Sequence, residues 1–119
     1  MLSYYNITRV KYIITKVKKG AEIMSLYPNL EKPITFRGMT VKNRVFLPPM
    51  KTNYIKADHS MSEDIIQYYE DMAKGGIGLI TTEAAEVDGE HLYAATILGI
   101  YDDSQIPGFK KLADALHKY

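Results

Sequence analysis

Asn43-Arg44-Val45-Phe46-Leu47-Pro48-Pro49-Met50-Lys51-Thr52 is the stretch on which the fold turns. It begins as a strand: Val45, Phe46 and Leu47 form a short continuous apolar run, the pattern of a strand buried on both faces of a parallel sheet. It ends as a stiff loop, because Pro48 and Pro49 have no N–H to give to a ladder. A fixed loop at the carboxyl end of a strand is where α/β sheets and α/β barrels hold ligands. Taken alone, the same residues also read as a plain strand closed by a Pro-Pro turn, so the flanking chain has to decide.

Downstream, the residues alternate between helix and strand. Ser60 or Ser62 can cap a helix, and Ser60 with Glu63 has capping-box spacing. Glu63 and Asp64 suit the positive end of its dipole. Ile65, Ile66, Tyr69, Met72 and Ala73 make one apolar face, and Gly75-Gly76 stops the helix. Gly78 to Glu83 reads as a second strand, apolar through Leu79 and Ile80 and polar from Thr81. The connection from Ala84 to Asp103 is long enough to carry extra structure. A second helix is predicted from about Ser104, with Pro107 tolerated in its first turn and Ile106, Phe109, Leu112, Ala113 and Leu116 inward.

Upstream, Ile34-Thr35-Phe36 and Met39-Thr40-Val41 around Arg37-Gly38 read as a short β-hairpin placed to plug one end of a larger body. Residues 1–23 differ from the rest. They hold Arg9, Lys11, Lys16, Lys18 and Lys19 against Glu22, a net of +4 in a chain of net +1, which leaves −3 for the remainder. Ile7, Val10, Ile13, Ile14 and Val17 recur at helical spacing, so this segment reads either as a basic amphipathic helix or as an extension outside the fold. The expectation is a non-native or disordered extension, with the biological start at Met24. Lys19-Gly20-Ala21-Glu22-Ile23 can be encoded with AAGGAG, a ribosome-binding sequence, just ahead of the Met24 codon.

The whole chain of 119 residues has 46% hydrophobic and 24% charged residues, a globular composition. Its small net charge gives no bulk electrostatic reason to bind nucleic acid or an anionic membrane. The lack of cysteine excludes disulfides and thiolate metal sites in this chain and agrees with a cytoplasmic setting. His59, His91 and His117 lack metal-ligand spacing. The order hairpin, strand, helix, strand, helix implies parallel strands with right-handed crossovers. Two parallel strands cannot cover their own faces and edges. A complete (β/α)8 barrel takes about 250 residues. The expected fold class is therefore α/β, the N-terminal portion of a (β/α)8 TIM barrel with a β-hairpin at its start, residues 24–119, cut before the third strand.

From Leu26 onward the chain resembles the old yellow enzyme family of FMN-dependent NADH:flavin oxidoreductases. The matching residues are Asn43-Arg44-Val45 with Pro49-Met50 and Thr52, Tyr68-Tyr69 with Ala73, Gly75-Gly76, and Gly78-Leu79-Ile80. Glu83-Ala84 with Val87, then Gly99, Tyr101-Asp102, Gly108, Leu112 and His117 complete an ordered set. It looks closest to the branch of bacterial 2,4-dienoyl-CoA reductase, trimethylamine dehydrogenase and bile-acid-inducible reductases. Met72 departs from the pattern, where the family commonly has Arg.

The resemblance implies FMN as cofactor, with the loop after the first strand running along the flavin. It carries cofactor-binding roles to Pro49, Met50 and Thr52, and to Ala84 as the small residue that lets the ring approach. Lys51 lies beside them, where a cation would stabilise the reduced anionic flavin; a solvated lysine is the other reading. Tyr54 falls on the substrate side. Glu83 reads as an acid/base group or as an acceptor for backbone N–H. The implied reaction passes a hydride from NADH or NADPH through flavin to an activated C=C bond in an enone, enoate or enoyl thioester. No catalytic or metal-binding residue is expected in this stretch, and the 4Fe–4S cluster and FAD of the larger branch members would belong to later parts. Self-association through open strand edges is expected. A stand-alone, non-catalytic α/β interaction module is the alternative.

Overall fold

The computed structural model describes residues 26–92 and 94–119. The reading of residues 1–23 as an extension, and of Met24 as the start, lies outside the described residues. A single helical turn, Pro28–Glu31 (α1), comes first. It stands where the sequence reads as irregular, and Leu30 O accepts from Arg44 N at 2.8 Å. The hairpin follows: Ile34–Phe36 (β1) and Met39–Val41 (β2) pair antiparallel, with Ile34 opposite Val41. Arg37 (φ 46°) and Gly38 (φ 83°) are both left-handed, as a two-residue turn matched to strand twist requires.

Phe46–Leu47 (β3) and Leu79–Ile80 (β4) form the central parallel pair, in register Phe46 to Leu79 and Leu47 to Ile80. The ladder reaches one residue further, where Thr81 N donates to Leu47 O at 3.0 Å. Asn43 sets the start of β3: its Oδ1 accepts from Val45 N at 3.0 Å, and its Nδ2 donates to Gly76 O at 2.7 Å. The chain therefore leaves the helix and enters β4 against Asn43. A Cβ on Gly78 would stand 2.5 Å from Asn43 Oδ1 and 2.6 Å from Asn43 O, so only glycine fits there.

The crossover helix is Glu63–Lys74 (α2). Ser62, not Ser60, is its N-cap, and Ser62 Oγ accepts from Ile65 N at 3.2 Å. Ser60 is already committed to a turn, donating to Asp58 Oδ1 through N and Oγ at 3.0 and 2.6 Å. Helix α2 buries Ile65, Ile66, Tyr69 and Ala73 and ends at Gly75, with Gly76 at φ 95°. The long connection contains a second parallel pair, Ala85–Glu86 (β5) with Leu98–Gly99 (β6). A 3-10 turn, Asp103–Gln105, capped by Asp102, leads into Ile106–Leu116 (α3).

Met61, Ile65, Ile66, Tyr69, Leu98, Leu112 and Ala115 form the core, with Leu47, Ile80, Phe109 and Leu116 packed against it. It lies between the strands and the two helices, which Lys111 and Glu63 also tie together by a 2.6 Å contact. Two expectations about burial change. The strand is not covered on both faces: Leu47 packs on the core while Phe46 is 50% exposed, because successive side chains point to opposite faces and the described residues cover only one. Helix α3 keeps Phe109, Leu112 and Leu116 on the core as expected and differs at the margins of that face: Ala115 is buried, Ala113 is half-buried and Ile106 is 58% exposed.

Candidate functional site

Because β3 and β4 are parallel, their carboxyl ends lie at one edge, and the loops from Pro48 and from Thr81 leave side by side. Loop 48–52 carries Pro49, Met50, Lys51 and Thr52; loop 81–84 carries Glu83 and Ala84. Met50 is 51% exposed, and Pro49, Lys51 and Ala84 are exposed with it. Pro48 and Pro49 have no N–H, and the N–H groups of Met50 and Lys51 have no partner among the described residues. The loop thus presents two consecutive unused donors next to an apolar side chain.

What holds this loop is Glu83. Thr52 N donates to Glu83 Oε2 at 2.8 Å, and Thr52 Oγ donates to the same oxygen at 2.6 Å. Of the two roles open to Glu83, the geometry gives that of an acceptor for backbone N–H, extended to a hydroxyl. Thr52 Oγ in turn accepts from Tyr54 N at 3.2 Å. Both donors of Thr52 are therefore spent inside the protein, and what it offers a ligand is the placement of its neighbours.

Glu83 is 3% exposed, and its Oε1 is, among the described residues, a buried side-chain oxygen with no hydrogen-bond partner. Leaving such an atom unpaired costs about 1–3 kcal/mol, more where it is charged.

The backbone of Glu83 is fixed from below. Its N–H donates to Tyr69 Oη at 2.7 Å, and Tyr69, 1% exposed, reaches up from α2. Burial pushes the Tyr69 phenol up to about 12, with the Glu83 carboxylate adding to the effect. Tyr68 packs edge-on against Tyr69, with centroids 5.1 Å apart, and against Tyr54 at 6.3 Å. Burial, with Tyr54 and Glu83 nearby, raises its phenol as well. Tyr54 is half-exposed and sits at the outer end of this ring stack.

The sequence alone does not join Thr52, Glu83 and Tyr69. The available signal was a tyrosine in a helix face otherwise made of Ile, Met and Ala, and an acid at the end of an apolar strand. A groove of about 620 Å³ lies elsewhere, between α2 and α3, lined by charged residues such as Glu63, Glu70, Lys110 and Asp114. It is on the helical side, away from the strand ends. Among the described residues no cluster of metal-ligating side chains occurs, and no helix is long and apolar enough to cross a membrane.

Residues 29–119 match the family described as NADH:flavin oxidoreductase / NADH oxidase. The NADH oxidase of Thermoanaerobacter brockii is 38% identical over 99 residues, which is 81% of this chain and 15% of that protein. The old yellow enzyme from Trypanosoma cruzi superposes with a TM-score of 0.71 at 34% identity, over 77% of this chain and 24% of that one. A 2-naphthoyl-CoA reductase in complex with 2-naphthoyl-CoA gives 0.74 at 30% identity, over 78% and 14%. The chain spans a quarter or less of the length of each of these three proteins. The parallel β3–α2–β4–α3 order is the start of their barrel, and the latched loops lie at the strand ends of that barrel. This chain belongs to the NADH:flavin oxidoreductase / NADH oxidase family, the old yellow enzyme barrels.

Proposed function

We propose that the chain supplies one wall of the FMN site of an oxidoreductase that takes a hydride from NADH or NADPH and delivers it to the β-carbon of an activated C=C bond. The observation that carries this reading is the latched β3 loop, in which the N–H groups of Met50 and Lys51 have no partner among the described residues and stand beside an exposed Met50. Ala84 follows Glu83 directly, so a small side chain borders the same edge. Two free donors, a soft apolar side chain and a small residue suit a flat ring system with a polar edge. FMN, when bound, supplies the two-electron relay between the nicotinamide and the unsaturated substrate.

The chain's own residues orient and bias that site. Pro48 and Pro49 stiffen the loop, Thr52 anchors it, and Met50 would offer the ring a soft apolar surface. Lys51, with no partner among the described residues, places a cation where added electron density on the ring is stabilised. Tyr54 lines the substrate side, supported by Tyr68. Among enones, enoates and enoyl thioesters, the likeness to 2-naphthoyl-CoA reductase favours a thioester. It also favours the branch with 2,4-dienoyl-CoA reductase and its relatives, whose larger members add a 4Fe–4S cluster and FAD. A cytoplasmic homo-oligomer fits this reading. The family match weighs for an enzyme and against a purely non-catalytic interaction module.

Anaerobic titration of the full-length protein tests the proposal. NADH or NADPH should bleach the visible flavin band, and crotonyl-CoA, cinnamate or 2-cyclohexenone should restore it. A full-length protein without flavin, or a reduced flavin that only dioxygen reoxidises, refutes it.

A further inference from the structure

We propose that Glu83 is the positioning residue of the β3 loop: by holding Thr52 through two hydrogen bonds to one carboxylate oxygen, it sets where the N–H groups of Met50 and Lys51 point. This rests on the reading of that loop as a flavin wall and adds to it a residue that does not itself touch the ring. The span is pinned at both ends. At Leu47 it is held by the last rung of the parallel ladder, from Thr81 N. At Thr52 it is held by Glu83, 31 residues away in sequence, with bonds of 2.8 and 2.6 Å. Between the pins stand Pro48 and Pro49, whose φ angles are restricted, and then the two free donors. With so few soft torsions, displacing one pin moves both donors together.

The carboxylate is suited to this work beyond what mere structure requires. Glu83 is almost fully buried, yet among the described residues only Oε2 is used and Oε1 has no partner. An amide of the same shape would satisfy Thr52 N as an acceptor at lower electrostatic strain. The charged acceptor makes shorter, stronger bonds to Thr52 than an amide would. Its own position is fixed independently, through Glu83 N on Tyr69 Oη, so the pin does not drift with the loop it holds.

The test uses the full-length holoprotein as wild type, Glu83→Gln, Thr52→Val and Thr52→Ser, each followed by melting, FMN dissociation constant, flavin absorption envelope and flavin midpoint potential. Glu83→Gln keeps an acceptor of the same shape and should melt close to wild type. It should bind FMN about tenfold more weakly, with a shifted absorption envelope and midpoint potential. Thr52→Val, which loses the hydroxyl bond and keeps the amide bond, should move affinity and potential in the same direction; Thr52→Ser should restore both. If the variants change only the melting temperature while affinity, envelope and potential stay at the wild-type values, Glu83 is structural and the proposal is wrong. If Glu83→Gln does not fold, the Thr52 pair decides on the same readouts. Wild type that carries no flavin overturns the functional reading and this inference with it, whereas flavin-loaded wild type with unmoved variants overturns this inference alone.

Discussion

Tyr69→Phe isolates one hydrogen bond with almost no change of volume. The ring that packs in the core and against Tyr68 stays, so no cavity of consequence opens. What is lost is the acceptor for Glu83 N–H, now 2.7 Å from Tyr69 Oη. Glu83 is 3% exposed, so water does not readily replace the phenol. A buried donor left without a partner costs about 1–3 kcal/mol. At about 2 kcal/mol, the melting temperature of a barrel of about 250 residues falls by roughly 4–8 °C.

The variant also changes the response to alkali. The Tyr69 phenol is raised from 10.0 to about 12 by burial. Above pH 10 the unfolded chain therefore gives up a proton that the folded chain keeps. The stabilisation is whole below pH 10, declines as pH rises, and is gone once the folded phenol also ionises near pH 12. Two units correspond to about 2–3 kcal/mol. Tyr69→Phe should lose that part of the alkaline decline and keep a smaller one from Tyr68, whose shift has the same sign. Urea unfolding followed by near-UV circular dichroism, at pH 7 and in steps from pH 9 to 12 (about three pH units spanning both ionisations), measures both effects. A cost under ~0.5 kcal/mol at pH 7, or equal alkaline slopes in the two proteins, would show that the Tyr69–Glu83 bond does not hold the strand end.

Gly78→Ala should destabilise by about 1–3 kcal/mol, since the new methyl would meet both Oδ1 and the backbone oxygen of Asn43; a melting curve that overlays wild type refutes the close approach. Ser62→Ala should cost about 1 kcal/mol by removing the cap on Ile65 N, while Ser60→Ala should stay within ~0.5 kcal/mol, and denaturant midpoints showing the reverse order would return the cap to Ser60. The 119-residue chain alone should not retain FMN through equilibrium dialysis, because phosphate sites in such barrels come from late strands; a stoichiometric yellow complex of micromolar affinity contradicts this. It should also self-associate through the uncovered face bearing Phe46, so a sharp monomer in analytical ultracentrifugation would count against an open strand face.

Local rules made much of the fold legible. Arg37-Gly38 between two alternating runs fixes a hairpin, and Gly75-Gly76 after an apolar helical face fixes a crossover. Together with Val45-Phe46-Leu47 and Leu79-Ile80 they give two parallel strands before any coordinate is known. The sequence offers both Ser60 and Ser62 as the cap of α2, and spacing alone cannot choose Ser62, because it does not show that Asp58 has already engaged Ser60. The pair Ala85–Glu86 with Leu98–Gly99 was missed because strands of two residues carry no periodicity. On α3 the apolar spacing gives Phe109, Leu112 and Leu116 correctly but not which alanine is buried or that Ile106 stays exposed, because that depends on where the neighbouring elements stand.

The candidate site divides along the same line. Its position, at the end of a strand stopped by two prolines, follows from rules that act within ten residues or so. Its rigidity does not, because Thr52, Glu83 and Tyr69 belong to three separate elements, and only the parallel register of β3 with β4 and the length of α2 bring them together. Each residue taken singly has an ordinary explanation: a loop threonine, a strand-end acid, a core tyrosine. Joined, they make a chain of hydrogen bonds running from the helix layer, through the end of β4, to the loop after β3. The helix that closes the core thereby also fixes the loop proposed as the flavin wall. A substitution at Tyr69, with no ligand contact of its own, is therefore expected to reach Met50 and Lys51 through Glu83 and Thr52.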